Sequence, residues 1–285
     1  MAKRKRTQTE AVMRNREQQG RGKGVGPDYK PWLLVQDVPS RGRASRIASN
    51  GRVVHTLSDL ETAAFRDFQW DPDVIDIQEQ YPISREATLR IAEDMKVRHP
   101  SDGKPRTPIV VTTDFLVTYR RNGRIERHAY AVKEAAAIDV ASIRTRKDRV
   151  SIHRTRQKLE IERRYWGEQN VPWELLTDKE LSKIRKANIE FILDVKPDPA
   201  RPDGYWEEAM RSALLAVTEG GCRELDEIGR SLAAQGVLPR NDFTTALRIL
   251  CARRILVFDM NRKFELSRPA SDFSALRRVD QVESV

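Results

Sequence analysis

Two residues near the middle of the 285-residue chain pose the chemical question. Ile109 to Tyr119 is rich in valine, threonine and aromatics, a strand composition, and it contains Asp114. Arg121-Asn122-Gly123-Arg124 is a turn sequence in which Asn-Gly favours a type I′ hairpin, and Ile125 to Lys133 is the returning strand. With Asn122-Gly123 as the two-residue turn, Asp114 falls opposite Ala131 and Thr112 opposite Lys133. Side chains alternate across a strand, so Asp114 and Lys133 share a face as diagonal neighbours, while Phe115 and Val132 point to the other face and the core.

A carboxylate beside a lysine on a central hairpin has two readings. One is a salt bridge at the sheet rim. The other is a hydrolytic site, in which Asp114 binds Mg²⁺, a hard cation that prefers carboxylate oxygen. The metal would polarise a scissile phosphate and acidify its bound water. Lys133 would orient that water or offset charge in the transition state. A further carboxylate is needed to fix the metal. Glu61 and Glu162 are the candidates, although glutamates on helices usually face solvent.

The elements that must position these groups are mostly legible. Ser58 and Glu61 have capping-box spacing ahead of a helix from Asp59 to about Phe68, preceded by a short strand over Val53–Thr56. Val74 to Tyr81 reads as a strand whose alternation is broken by Gln78 and Gln80. Leu89–Val97 reads as a short helix, Thr155–Gly167 as a helix with Leu159, Glu162 and Trp166 marking its turns, and Val171–Thr177 as a strand. Strand, hairpin, helix and strand predict a mixed α/β sheet with helices against it. After Asp178 the pattern turns helical. A proline-rich linker at about 197–204 precedes helices over Glu207–Thr218, Leu225–Gln235 and Asp242–Ala252. A hairpin of Ile255–Phe258 with Lys263–Leu266 then completes a winged-helix-like module. The predicted organisation is a basic flexible arm over 1–27, a catalytic domain over 28–178, and a partner-binding domain over 179–285 with a weakly ordered tail.

Charge points to a polyanionic partner. The formal net charge is +10, and residues 1–50 alone hold 12 basic and 4 acidic side chains. Lys3, Arg4, Lys5 and Arg6 open the arm, and Gly20, Gly22, Gly24 and Gly26 follow no strand, so they make no phosphate-binding fingerprint. Arg144–Arg164 carries nine basic residues against three acidic ones, enough to track DNA phosphates near the site or to form a solvated helix face. Trp32, Trp70, Trp166, Trp173 and Trp206 read as core or interface residues. Asn241, Thr244, Thr245 and Arg248 would be the exposed residues of a recognition helix, too weakly basic to favour DNA over protein. Cys222 and Cys251 make neither a zinc site nor a disulfide framework and are expected reduced and buried. No run of 18 apolar residues exists, which argues against a membrane span. A cytoplasmic, bacterial, nucleoid-associated protein is the expectation.

Several longer stretches carry a family resemblance. They are Gly26 to Pro39 with Asp-Tyr-x-Pro-Trp, Leu57-Ser58-Asp59-Leu60-Glu61, Thr113-Asp114-Phe115-Leu116-Val117 and Val132-Lys133. Lys158-Leu159-Glu160-x-Glu162-Arg163-Arg164-Tyr165-Trp166 and Thr177-Asp178-Lys179-Glu180 follow. With these the chain resembles the TnsA family, the endonuclease subunits of heteromeric bacterial cut-and-paste transposases. The resemblance implies a type II restriction-endonuclease-like fold, metal-site acids at Glu61 and Asp114, a catalytic lysine at Lys133, and a further acidic position at Glu162. It implies one or two Mg²⁺ ions, with Mn²⁺ as a substitute. It also implies three partners: double-stranded transposon-end DNA, an integrase-like transposase resembling TnsB, and an AAA+ ATPase regulator resembling TnsC. The family often has glutamine where this chain has Ala131, which leaves the backbone carbonyl of Val132 as the neighbouring metal ligand. The implied activity is hydrolysis at the 5′ ends of the element. A restriction or repair nuclease of the same fold, and a catalytically silent DNA-binding subunit, are the alternatives.

Overall fold

The computed structural model describes residues 8–38, 43–49, 51–102 and 106–276. The basic cluster Lys3–Arg6 and the end of the expected tail lie outside the described residues. Contacts divide the chain after Leu181 into two units, whereas the sequence suggests a boundary at 178.

The first unit begins with α1 (Glu10–Gln18) and the hairpin β1 (Ser45–Ser49) and β2 (Arg52–Thr56). Next come α2 (Asp59–Trp70), β3 (Val74–Pro82), α3 (Arg85–Asp94) and the minimal pair β4 (Ser101–Asp102) and β5 (Thr107–Pro108). The central hairpin is β6 (Thr112–Arg121) and β7 (Arg124–Val132), followed by α4 (Arg146–Glu168) and β8 (Trp173–Leu176). Four strands form one mixed sheet in the order β3-β6-β7-β8, with β8 parallel to β7 across the α4 crossover. This is the α/β architecture expected of a restriction-endonuclease-like catalytic domain.

Pleating assigns the two faces of the sheet. Phe115, Val117 and Tyr119 of β6 meet Phe65 and Phe68 of α2, together with Tyr130 and Val132 of β7. Leu116 and Ala129, on the opposite face, pack with Trp166 of α4 and Ile83. Asn122 and Gly123 both have positive φ, 50° and 76°, as a type I′ turn requires, and Phe115 pairs with Tyr130.

Past that pair the hairpin splays. Thr112 and Thr113 of β6 pair with Pro82 and Tyr81 of β3, while Ala131 and Val132 of β7 pair with Leu175 and Leu176 of β8. The two central strands part at the end that carries Asp114 and Lys133.

The expected flexible arm is not one from residue 8 onward. Thr9 accepts from the Val12 amide to cap α1, and Met13 is buried. The glycine-rich segment then covers the free edge of β3. Trp32 N donates to Gln80 O at 3.2 Å, the Tyr29 hydroxyl to Glu79 O at 3.0 Å, and Gln78 Nε2 to Gly24 O at 3.0 Å. An uncovered edge would leave these groups open to another strand. Composition hid this, because the segment gains its stability from a surface distant in sequence.

Helices also start earlier than periodicity suggests. Ser84 caps α3, and Thr145 with Asp148 forms a capping box that starts α4 at Arg146, ahead of the expected Thr155.

The second unit holds α5 (Lys183–Leu193), which the sequence reading does not single out, then α6 (Tyr205–Thr218), α7 (Leu225–Ala234) and α8 (Arg240–Ala252). The expected wing is different. Strand β9 (Leu256–Phe258) pairs with β10 (Phe273–Ala275), not with Lys263–Leu266. The reason is that the intervening backbone is already engaged. Asn188 Nδ2 donates to Met260 O and Arg262 O, each at 2.9 Å, and Phe264 N donates to Asn188 Oδ1. Leu266 O and Arg268 O accept the first amides of α7. Helix α8 is packed by α5, α6 and α7, so it offers little face for a DNA groove. Of the four candidate contact residues only Asn241 is fully exposed; Arg248 donates to Phe191 O at 2.7 Å and lies over that ring. Cys251 is buried, but Cys222 is exposed, contrary to expectation; both are free thiols.

Gly22 and Gly24 have positive φ and no room for a side chain: a Cβ would lie 2.2 Å from Pro82 and 2.3 Å from Asp28 O respectively. Gly20 also has positive φ but faces open space. Gly24→Ala is therefore expected to destabilise the fold by roughly 2–3 kcal/mol and Gly20→Ala by only about 1 kcal/mol. Equal losses in urea unfolding would contradict the edge-cover role of the loop.

Candidate active site

The splayed end of the hairpin gathers the four side chains singled out from the sequence. Asp114 Oδ2 accepts from the Val132 amide at 2.7 Å and from Lys133 Nζ at 2.8 Å. The carboxylate thus takes over a main-chain donor that the parted strands no longer pair, and it bridges the gap between them. Lys133 Nζ also donates to Val132 O at 2.7 Å.

Glu61 arrives from the first turn of α2. Ser58 Oγ accepts from the Glu61 amide as the N-cap and donates to Glu61 Oε1 at 3.1 Å. The Leu57 amide donates to Glu61 Oε2 at 2.8 Å. A helix N-terminus favours this negative charge. Glu162 arrives from α4, on the side of the helix that carries Leu159 and Trp166. It is 6% exposed, as is Glu61, although each sits on a helix where glutamate ordinarily meets water. Glu160, two residues earlier, shows the ordinary arrangement: it pairs with Arg163 and Arg164 on the surface.

Electrostatics set these carboxylates apart. Burial, then the charge of Asp114, raises the pKa of Glu162 to about 7, with Lys133 opposing. The same two causes in the same order raise Glu61, against the Leu57 amide, Lys133 and Ser58. Burial works against the charge on Lys133, but Asp114, Glu61 and Glu162 outweigh it and raise its pKa. Three carboxylates face one ammonium, so the cluster is short of positive charge.

That shortage is what a divalent cation would relieve, and the donors suit a hard one. Glu61 and Asp114 offer carboxylate oxygens, and the Val132 carbonyl lies beside them. The ammonium of Lys133 already bridges Asp114 Oδ2 and Val132 O, a stand-in for a cation between those two oxygens. Glu162 Oε1 and Trp173 Nε1 are both buried without a partner at hydrogen-bond distance, and Thr113 and Trp173 act on the Glu162 carboxylate against the rise in its pKa. Among the described residues no three Asp, Glu, His or Cys side chains are placed to hold a metal ion by themselves, so water and other oxygens would have to complete the shell. An open site completed by water and substrate phosphate matches the habit of Mg²⁺.

Sequence reasoning did not give Gln80 a role. Its amide is 1% exposed, donates to Glu61 Oε2 at 3.3 Å and accepts from Thr112 Oγ1 at 3.1 Å. Its φ is +48°, a left-handed conformation that costs an ordinary residue about 1–2 kcal/mol. The signal was present as the polar interruption of the Val74–Tyr81 strand. Flanking pairs put Gln80 opposite Asp114, and the Asn-Gly register would carry that row across the parted strands to Ala131. Ala131 is 1% exposed and brings no polar side chain to that row, whereas Gln80 does. Trp166 Nε1 donates to Thr113 Oγ1 at 2.7 Å and ties α4 to the same strand.

Residues 71–178 match the family described as TnsA-like endonuclease N terminal, a segment that holds Asp114, Lys133 and Glu162. Mixed sheet and family match together make this an endonuclease-class catalytic domain. The chain is also 38% identical over 258 residues to the Transposon Tn7 transposition protein TnsA of Escherichia coli, covering 85% of this chain and 88% of that one. The chain belongs to the TnsA family. The similarity covers more of the chain than the first unit, residues 1–181, contains, so it extends into the helical second unit.

Two outcomes follow from the geometry. The pKa of Glu162 lies above its ordinary value of 4.5, so the folded state binds more protons than the unfolded chain and loses stability as pH rises from about 4.5 through 7. In metal-free protein Glu162→Gln should stabilise by roughly 1–3 kcal/mol at about pH 8, with the advantage vanishing near pH 4. A pH-independent difference between the two unfolding curves would contradict the burial argument. Gln80→Ala should slow single-turnover cleavage roughly 10-fold at saturating DNA, because Glu61 loses its orienting donor. A wild-type rate would reduce Gln80 to a packing role.

Proposed function

We propose that this chain is the Mg²⁺-dependent endonuclease subunit of a cut-and-paste transposase, hydrolysing one phosphodiester at each 5′ end of the element. The observation that carries the reading is the buried, charge-deficient cluster of Glu61, Asp114, Glu162 and Lys133 at the parted hairpin of a TnsA-family chain.

In this reading Glu61, Asp114 and the Val132 carbonyl hold the metal, and Mn²⁺ can replace Mg²⁺. A bound divalent ion supplies Lewis acidity toward the phosphate and lowers the pKa of water at the site. The chain's own residues do the rest. Ser58, the Leu57 amide and Gln80 fix the Glu61 carboxylate. Asp114 is held by the Val132 amide and carries no freedom to swing. Lys133 orients the attacking water or donates to the phosphate oxygen on which charge accumulates as water attacks phosphorus and one ester bond breaks. Glu162 faces Asp114 and Lys133 and sharpens the field at the ammonium. The surrounding apolar clusters keep the dielectric low, which strengthens each of these interactions.

Double-stranded transposon-end DNA is the substrate. The opposite strand is cut and joined by an integrase-like transposase resembling TnsB, and an AAA+ regulator resembling TnsC docks on the helical second unit. Two features support this division. The catalytic unit offers one carboxylate–lysine cluster, enough for one strand. The packed α8 lacks the free, basic face of a base-reading helix, which leaves the second unit better suited to a protein partner. Among the described residues no helix is long and apolar enough to cross a membrane.

Lys133→Ala should abolish cleavage at the 5′ ends and leave 3′ cutting and joining by the partner intact. DNA affinity should fall by no more than a few-fold, roughly one phosphate contact among several. End-labelled transposon DNA in the reconstituted complex, read strand by strand, checks this. Wild-type nicking of the 5′ strand by the variant would remove Lys133 from catalysis and favour a silent subunit.

A further inference from the structure

One side of α4 carries a cationic lane that leads to the carboxylate cluster. Arg146, Lys147, Ser151, Arg154, Thr155 and Lys158 line a groove of about 660 Å³, and no acidic side chain is among its lining residues. Nearer the C-terminal end of the same helix two cations are matched: Arg163 and Arg164 both hold Glu160. In the groove they are not. Among the described residues no ion pair holds Arg146, Lys147 or Lys158, although Asp148 feels the charge of Lys147, and Arg154 bonds the neutral Gln157 at 3.1 Å. Asp148 is engaged at the helix start by the amides of Arg144 and Thr145.

Helix geometry orders the lane. Lys147, Ser151, Arg154, Thr155 and Lys158 recur at three- and four-residue spacing along one side of α4, and four residues beyond Lys158 the same side reaches buried Glu162. Lys158 is about 6 Å along the axis from Glu162, Arg154 about 12 Å and Lys147 about 22 Å. Desolvation against the protein, then the charges of Arg154 and Lys133, lower the pKa of Lys158, so it feels the site's own lysine. Like charges held this close without counter-charge need an anion between them to become favourable. A DNA strand presents one phosphate per 3.4 Å of helix axis, so several can be matched along this length.

We propose that this groove seats the phosphodiester backbone of the strand being cut, with Lys158 holding the phosphate next to the scissile one and Arg154, Lys147 and Arg146 holding those further along. The assignment rests on the endonuclease reading and adds to it the path and polarity of the substrate across α4. Ser151 and Thr155 add neutral hydroxyl donors between the cations. The contacts carry no base information, so the lane contributes affinity and position but not sequence choice.

The test uses the full chain and a fluorescent duplex carrying a transposon end, titrated in metal-free buffer over a range of salt. The triple variant Arg146→Gln/Lys147→Gln/Arg154→Gln should weaken binding roughly 10- to 100-fold, and the slope of log affinity against log salt should shrink by about 2–3. Lys158→Gln should shrink the slope by about 1. In the reconstituted complex it should also slow single-turnover 5′ cleavage at saturating DNA roughly 10-fold. Arg163→Gln/Arg164→Gln, on the paired face, should leave the slope unchanged, and matched melting temperatures control for folding. The proposal is overturned if the groove variants keep the wild-type slope, if the paired-face variant loses as much, or if the wild-type chain does not bind the duplex at about 50 mM salt. Failure of the endonuclease reading looks different: the wild-type complex would not need Lys133 to nick the 5′ strand, whatever the salt slopes show.

Discussion

The catalytic unit is organised around an excess of buried negative charge. Glu61, Asp114 and Glu162 are each at most 9% exposed and answer to one ammonium, that of Lys133. Left to packing alone, such a cluster would be replaced by apolar side chains of similar size, which are often neutral or stabilising in that setting. The fold therefore carries a local cost at this cluster that packing alone does not require. The raised pKa values of Glu61 and Glu162 reflect that cost, since burial and the charge of Asp114 both disfavour their charged forms.

The surrounding scaffold supplies the compensation. Phe115, Val117 and Tyr119 anchor one face of the sheet on α2, and Leu116 with Trp166 anchors the other on α4. With both faces filled, the parted end of the hairpin does not collapse. Its main-chain donor at Val132 is satisfied by Asp114 instead of by a neighbouring strand. The free edge of β3 is closed by the loop around Gly22 and Gly24, and Arg52 adds a bidentate pair with the buried Glu79. Gln80 can hold its left-handed backbone only because that cover accepts and donates around it. The setting of Gln80 beside Glu61 and the protection of the edge thus share one segment.

The two units differ in how their polar groups are used. In the first, cations without partners line α4 beside the carboxylates, an arrangement that suits a polyanion. In the second, the helices spend their polar groups internally. Asn188 ties down the 260–264 backbone, and Arg248 is engaged by Phe191, so α8 is a structural helix. A module built in that way presents a stable shape to a protein partner more readily than a flexible set of donors to base edges.

Much of the catalytic unit was legible from local rules. The Asn-Gly turn set the hairpin register, and that register put Asp114 and Lys133 on one face; Ser58 and Glu61 announced the start of α2. These features rest on interactions between near neighbours in sequence, which a single chain displays directly. What only the tertiary structure decided lies at longer range. It turned Glu61 and Glu162 inward from helices on opposite faces of the sheet, where the sequence left a solvent-facing glutamate equally open. It made a helix and an edge cover from a stretch whose composition reads as a flexible arm, because β3 supplies the partners. It also moved the partner of β9 from Lys263–Leu266 to Phe273–Ala275, because Asn188 and the first turn of α7 had already taken the nearer backbone groups. Local pattern specifies which elements form; the competition among distant hydrogen-bond partners and the burial of charge specify what those elements meet.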